Sequence, residues 1–465
     1  MGAITFNRFD LGIDLRKGAS VSDANRLREM KNAYVTTGLA TQKRPGLVKV
    51  TSLEPGTKGL FSALGKLHTF YGAGNIVHAD TRFQAHKTIY YSGQEKAVAD
   101  VLFADVFNGN IYASILYDNT DIRHHYLDGT ADPGVTDGNC PQSAQVLKIA
   151  SKIFAVSRAG DTVRYSKTGN PRDWTTVNDA GFLPTGLNAR GDRSTNALGI
   201  YQNKLVALAR DGAQVWFVDP DPSANKLEDI VENVGTSFHR TVATVAGDLY
   251  FLSDFGFRSI TTLQLISKLA DVDIGSPIDT LVRPETRKNT TTPRAAYYYG
   301  TGQYICAIGD QLFVYSISRT AKVAAWSRYI LPFTVDAFAE LQGVLYIRSG
   351  DNIYQLSDEV SADDGQPFEV LLELPYMDFK SPGQTKRVYG VDLVMEGECD
   401  FSIAFDVRNP DAYTPPVRVR GNTRGGGVIP IECAGTEFSL RFRNFDDKPF
   451  RLDAVTVYYD NLGAI

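Results

Sequence analysis

One local pattern recurs between residues 60 and 360 and limits what the chain can become. It is a turn, a β-rich strand, a glycine or asparagine turn, and a second strand ending in an aromatic. The strand cores begin at Leu67, Ile111, Ile153, Leu205, Leu249, Tyr304 and Leu345, roughly 40 to 55 residues apart, which is the length of a four-stranded propeller blade. The turn and second strand repeat most sharply at 160–165, 212–217, 309–315 and 350–354, each opened by a glycine that supplies the backbone freedom of a short hairpin loop. One blade cannot bury both of its faces, so a ring of blades is the natural solution. The spacing predicts an irregular β-propeller of about six or seven blades.

The flanks read differently. Residues 1–59 form an extended N-terminal arm in which 20–31, with Ser22-Asp23 as an N-cap and Leu27 and Met30 at helical spacing, suits two or three helical turns. Residues 32–46 read as a strand, a glycine turn, a second strand and a Pro-Gly turn. After Ser357 a polar turn region leads into 361–465, where segments 368–374, 387–394, 401–407, 437–443 and 452–459 alternate cleanly and predict a β-sandwich able to share a sheet with the propeller. The expected class is all-β: arm 1–59, irregular β-propeller 60–360, and a C-terminal β-sandwich-like domain 361–465.

A net charge of -5 gives no general electrostatic drive toward wrapping nucleic acid or anionic membrane. Cys140, Cys306, Cys399 and Cys433 are scattered with no CxxC pair, which predicts reduced thiols and cytoplasmic folding in place of a zinc site or disulfide framework. The N-terminus lacks the pattern of a signal peptide, no apolar run reaches membrane-spanning length, and Phe6 stands where a myristoylation motif needs Ser or Thr.

The candidate chemistry reads as structure. Asp271-Val272-Asp273 has a DxD spacing but lacks the further oxygens that a hard cation needs. His124 and His125, after Asp118 and Asp121, are adjacent strand residues that face opposite ways and cannot easily share one ion. Asp219-Pro220-Asp221-Pro222 reads as a rigid inter-blade turn. The segment 165–174 invites comparison with the Asp-box of sialidase-type propellers, yet Thr168 and Asn170 occupy its key positions, leaving a turn with Trp174 packed between blades. Arg418, Arg420 and Arg424, beside Gly425-Gly426-Gly427, form the most basic loop and the candidate partner-contact site. No catalytic, cofactor or metal residue is predicted, and no cofactor.

Leu11-Gly12-Ile13-Asp14, then Asn32-Ala33-Tyr34-Val35-Thr36-Thr37-Gly38 and Lys43-Arg44-Pro45-Gly46, followed by propeller units and a late β-domain, resemble a known family. It is the tail nozzle proteins of short-tailed phages, also called tail tubular protein B or packaged-DNA stabilisation hub proteins. The resemblance implies a non-enzymatic virion protein assembled in the host bacterial cytoplasm. It also implies a homohexameric ring below the head-tail adaptor, contacts with tail fibre or tail needle and plug proteins, and double-stranded DNA passing without sequence specificity. An acidic wall suits such a duct, because it does not hold phosphates. Two other readings compete: a propeller glycoside hydrolase or lyase acting on bacterial surface polysaccharide, and a propeller scaffold binding proteins.

Overall fold

The computed structural model describes residues 2–464 apart from 19, 21, 92, 131–132, 189–193, 234 and 262–272. Seven blades succeed one another around a ring among the described residues: 58–87, 98–127, 146–183, 195–232, 243–259, 294–330 and 337–357. The fold is all-β, an irregular propeller carrying a sandwich built from both ends of the chain.

Blade four shows the complete unit, with Thr195–Tyr201, Lys204–Ala209, Gly212–Phe217 and Lys226–Glu232 paired antiparallel in sequence order. The innermost strand of every blade touches the innermost strand of the next, and Ala337–Leu341 of blade seven touches Lys58–Ala63 of blade one, so the ring closes. Blade one is irregular because its third strand, Phe83–Lys87, runs parallel to the second.

Strand periodicity explains the ring's stability. Leu205 and Ala207 point to a cluster shared with Phe154 and Val163 of blade three, whereas Val206 and Leu208 point to one shared with Leu249 and Phe251 of blade five. Alternate side chains thus leave opposite faces, and each blade sits between two apolar seams. A strand buried on both faces reads as a continuous apolar run, which is why these seven strands were legible. They are the second strands of their blades, not the first. The innermost strands, such as Val98–Phe107 and Arg294–Tyr298, line the bore half-buried and mix charge with small residues, so their alternation is weak.

The N-terminal segment changes the expected boundaries. Gly46–Ser52 is the outer strand of blade seven, paired antiparallel with Asn352–Ser357, so the propeller begins before residue 60. Upstream, Gly2–Phe6 pairs with the C-terminal strand Arg451–Ala464, and the predicted hairpin forms as Ala33–Val35 against Thr41–Lys43. The arm is extended but not free; it is built into the sandwich.

The helix predicted over 20–31 does not form among its described residues. Met30 lies instead in Glu29–Lys31, paired with Val370–Glu373 on one side and, in parallel, with blade six through Lys31 and Arg328 on the other. Leu27 and Met30 are both fully buried, so the apolar pair suits either geometry and tertiary pairing decides. An α-helix forms elsewhere, at Asp279–Lys288 against blade five, despite Pro284 inside it.

Through Glu29–Lys31, the sheet of blade six continues into Val370–Glu373, Ser439–Asn444, Glu398–Ala404 and Val417–Arg420, giving nine strands in one sheet. The facing sandwich sheet carries Gln384–Glu396 between Arg451–Ala464 and Ile429–Gly435. One apolar cluster runs from Phe257, Tyr304 and Trp326 of the propeller to Leu393, Phe401 and Val455 of the sandwich. The four cysteines are buried free thiols, whose loss of solvent raises their pKa.

Candidate functional site

Two polar constellations stand out among the described residues, one at the junction of the two bodies and one in the bore. The junction is made by the motifs that carry the family resemblance. Arg44 is wholly buried and forms a two-pronged pair with Asp363, Nη1 to Oδ1 at 2.8 Å and Nη2 to Oδ2 at 2.5 Å. Its Nε donates to Asn32 Oδ1 at 3.0 Å, and its guanidinium lies 3.8 Å from the centroid of Phe368. Asn32 Oδ1 also accepts from the Ile330 backbone of blade six at 2.8 Å, while its Nδ2 donates to the Glu369 carbonyl at 2.7 Å. Lys43 donates to the Asp446 carbonyl at 2.5 Å, and burial pulls its ammonium down to about 8.

Gly12 contributes a second tie. Its φ is +57°, and a Cβ there would lie 2.4 Å from the Trp326 carbonyl oxygen, so neither the conformation nor the space admits another residue cheaply. Ile13 donates to that same oxygen at 2.9 Å, and the indole of Trp326 donates to the Ile274 carbonyl at 2.5 Å. Asp14 is clasped by Arg16 and Arg26; burial pushes its pKa up, but their hydrogen bonds and charges hold it below the usual carboxylate range.

Beside the junction lies a cavity of about 670 Å³, walled by Asn32, Phe333, Tyr354 and Gln366 among others. Its polar groups are largely spent internally. Lys31 is held by Glu369 at 2.7 Å and Asp363 by Arg44.

The bore holds the constellation that sequence reasoning missed. Asp100, on the inner strand of blade two, receives Arg240 from the turn before blade five at 2.7 Å and Arg294 from the inner strand of blade six at 2.9 Å. Those blades stand across the ring from blade two, so the ion pairs span the bore. Burial, followed by the charge of Arg294, lowers the pKa of Arg240. A cavity of about 310 Å³ adjoins both arginines. No local motif signals this cluster, because Asp100 and Arg294 are 194 residues apart.

The residues singled out by sequence fall as follows. Arg418 and Arg420 lie on the edge strand Val417–Arg420, where Arg418 pairs with Glu398 at 3.0 Å and Asp400 at 3.3 Å, and Arg420 is 3.9 Å from Glu398. Arg424 belongs to the following loop, its backbone held by Asn422. The three therefore form no single cationic face: carboxylates offset the first two. Asp271 lies outside the described residues, and Asp273 is a buried partner of Arg258, which also reaches Asp279 at 3.1 Å.

His124 and His125 do diverge. His124 lies 2.8 Å from the Tyr112 hydroxyl and 3.0 Å from the Ser143 carbonyl on the side of blade three, and His125 lies 2.8 Å from the Tyr117 hydroxyl on the side of blade one. Trp174 is buried between blades two and three, as its sequence context suggested. The Asp219–Pro222 turn joins two strands within blade four, not two blades, because its strands pair with each other. No group of three metal-ligating side chains is found among the described residues.

No family model matches this sequence and no curated protein does. Among solved structures, the WD40 propeller domain of Doa1 is 12% identical with a TM-score of 0.35, covering 77% of this chain and 98% of its own. BamB from Moraxella catarrhalis is 11% identical with a TM-score of 0.36, covering 68% of this chain and 98% of its own. An exo-β-1,3-galactanase from Phanerochaete chrysosporium is 11% identical with a TM-score of 0.28, covering 90% of this chain and all of its own. Overlaps this loose carry no argument; the blade number rests on the strand pairing, and ring closure on the contacts between innermost strands.

Proposed function

We propose that this chain is a structural tail protein of a short-tailed phage, a nozzle or hub subunit. It assembles as a homohexameric ring below the head-tail adaptor, continues the DNA channel and helps to retain the packaged genome until ejection. The observation that supports the reading best concerns Asn32, Lys43 and Arg44. The motifs on which the resemblance rests are the ones that weld the sandwich to the propeller, as expected where a family preserves one composite shape. A wedge of two bodies joined by a continuous sheet offers the broad flanks that a head-to-tail ring requires.

A bore crossed by the Asp100 pairs passes no duplex, so the conduit belongs to the axis of the ring, between subunits. Net charge of -5 suits a wall along which DNA slides. Further contacts to tail fibre or needle proteins are assigned to the exposed loops, including the one that carries Arg424.

The test is particle imaging of the full chain, alone and with its cognate adaptor. Sixfold rings are expected, whether free or only on the adaptor. A chain that remains monomeric in every condition, or one that cleaves capsule or lipopolysaccharide in solution, overturns the proposal and favours the hydrolase reading.

A further inference from the structure

We propose that the propeller bore, at Arg240 and Arg294, is a binding site for a small monocarboxylate with an apolar body. The inference does not depend on the tail reading, since it uses only the geometry of one chain.

Charge counting comes first. Two guanidinium groups share the single carboxylate of Asp100, at 2.7 Å and 2.9 Å, so the cluster retains one unit of positive charge. Neighbouring Arg348 donates to the carbonyls of Thr57 and Gly59 and its charge is balanced by Asp351 at 3.5 Å. Arg240 keeps only 10% of its side-chain exposure, yet its Nε has no hydrogen-bond partner. A buried, unpaired donor on a cation is costly and is ordinarily satisfied by an acceptor. One further carboxylate would bring the count to two and two.

Shape comes second. The adjoining cavity of about 310 Å³ is bounded by the two arginines and by the partly buried Phe61, Val101, Phe103 and Phe338, and its surface mixes polar and apolar groups. Inorganic phosphate would use the polar part of that surface and leave its apolar part wetted. An anion with a hydrocarbon body covers that part and presents its head to the guanidinium forks, which suit carboxylate geometry. One unit of excess charge matches a singly charged head better than a doubly charged phosphate. Asp100 retains 27% of its side-chain exposure and Arg294 19%, so the site communicates with solvent.

The experiment is calorimetric titration of the full chain with benzoate, with benzamide as the uncharged control and inorganic phosphate as the bare anion. Saturable binding of one benzoate per chain is expected, with no binding of benzamide and weaker binding of phosphate. Arg240→Gln should weaken benzoate by at least about tenfold through loss of a charged hydrogen bond. Asp100→Asn, which removes the competing carboxylate, should tighten it, and this arm remains informative if the arginine variant misfolds. Ala295→Leu, a cavity-filling change that leaves every charge in place, should abolish it. Absence of saturable binding by both the natural chain and Asp100→Asn overturns the proposal. So does undiminished binding by folded Arg240→Gln, or phosphate binding as tightly as benzoate.

Discussion

At the residue scale, Arg44 shows how a short motif can be visible while its purpose is not. Lys43-Arg44-Pro45-Gly46 reads in sequence as a strand end and a turn; the strand does end at Lys43, but no turn follows, since Gly46 already opens the strand Gly46–Ser52. Nothing local announces that the guanidinium is fully buried against Asp363, 319 residues onward. Taking an arginine and an aspartate out of water is expensive, and only good geometry offsets it; the two-pronged contact, Asn32 and the Phe368 ring provide that here. Removing one partner strands the other charge. Arg44→Ala should therefore cost about 3–5 kcal/mol of unfolding free energy, measured by urea denaturation. Arg44→Met combined with Asp363→Leu should cost clearly less than the two single changes together, since neither charge is then left alone. Additivity of the singles would refute the coupling. The bore cluster was illegible for the same reason: Asp100, Arg240 and Arg294 are unremarkable in their local sequence and acquire meaning only once the ring closes.

At the element scale, what was legible follows from burial on two faces. The seven second strands, Ala33–Val35 and five of the seven C-terminal strands carry continuous or alternating apolar residues, whereas Val417–Arg420 and Ile429–Gly435 were not read from the sequence. The inner strands were missed because they face a polar bore, and the helix at Asp279–Lys288 because it buries chiefly Val282 and contains a proline. The blades also differ in chemistry. Five of the six histidines lie in blades one and two, and none lies in blades three and four. Burial lowers His68 and His78, and takes His86 and His124 to about 4 and His125 to about 3. Nearby Arg123, Arg172, Lys66 and Arg348 push the same way, opposed by the backbone carbonyls of Ala63 and Ser143 and by Glu54 and Asp80. A histidine held neutral by the fold stabilises it fully above its unfolded pKa of about 6.5, and that stability is lost as pH falls toward the folded value. Amide hydrogen exchange between pH 7 and pH 4.5 should show protection failing first in 66–71, 83–87, 110–117 and 122–127. Blades three and four should hold longer. Uniform loss across the ring would contradict this.

At the scale of the whole molecule, the propeller and the sandwich are distinct in form but not in construction. The sheet of blade six becomes a sheet of the sandwich, and one apolar cluster passes between them without interruption. Residues 2–52 serve both bodies, supplying sandwich strands at Gly2–Phe6, Ala33–Val35 and Thr41–Lys43 and then the outer strand of blade seven at Gly46–Ser52. Neither body can lose its structure without exposing a face of the other. Calorimetric unfolding of the full chain should accordingly be a single transition in which the calorimetric and van't Hoff enthalpies agree, unlike that of two tethered domains. Deleting residues 2–52 should prevent both bodies from folding, because blade seven loses its closing strand while the sandwich loses its arm. A deletion variant that retained a cooperative propeller transition would show that the ring closes without Gly46–Ser52. Two resolved transitions in the intact chain would show that the continuous sheet does not couple the bodies.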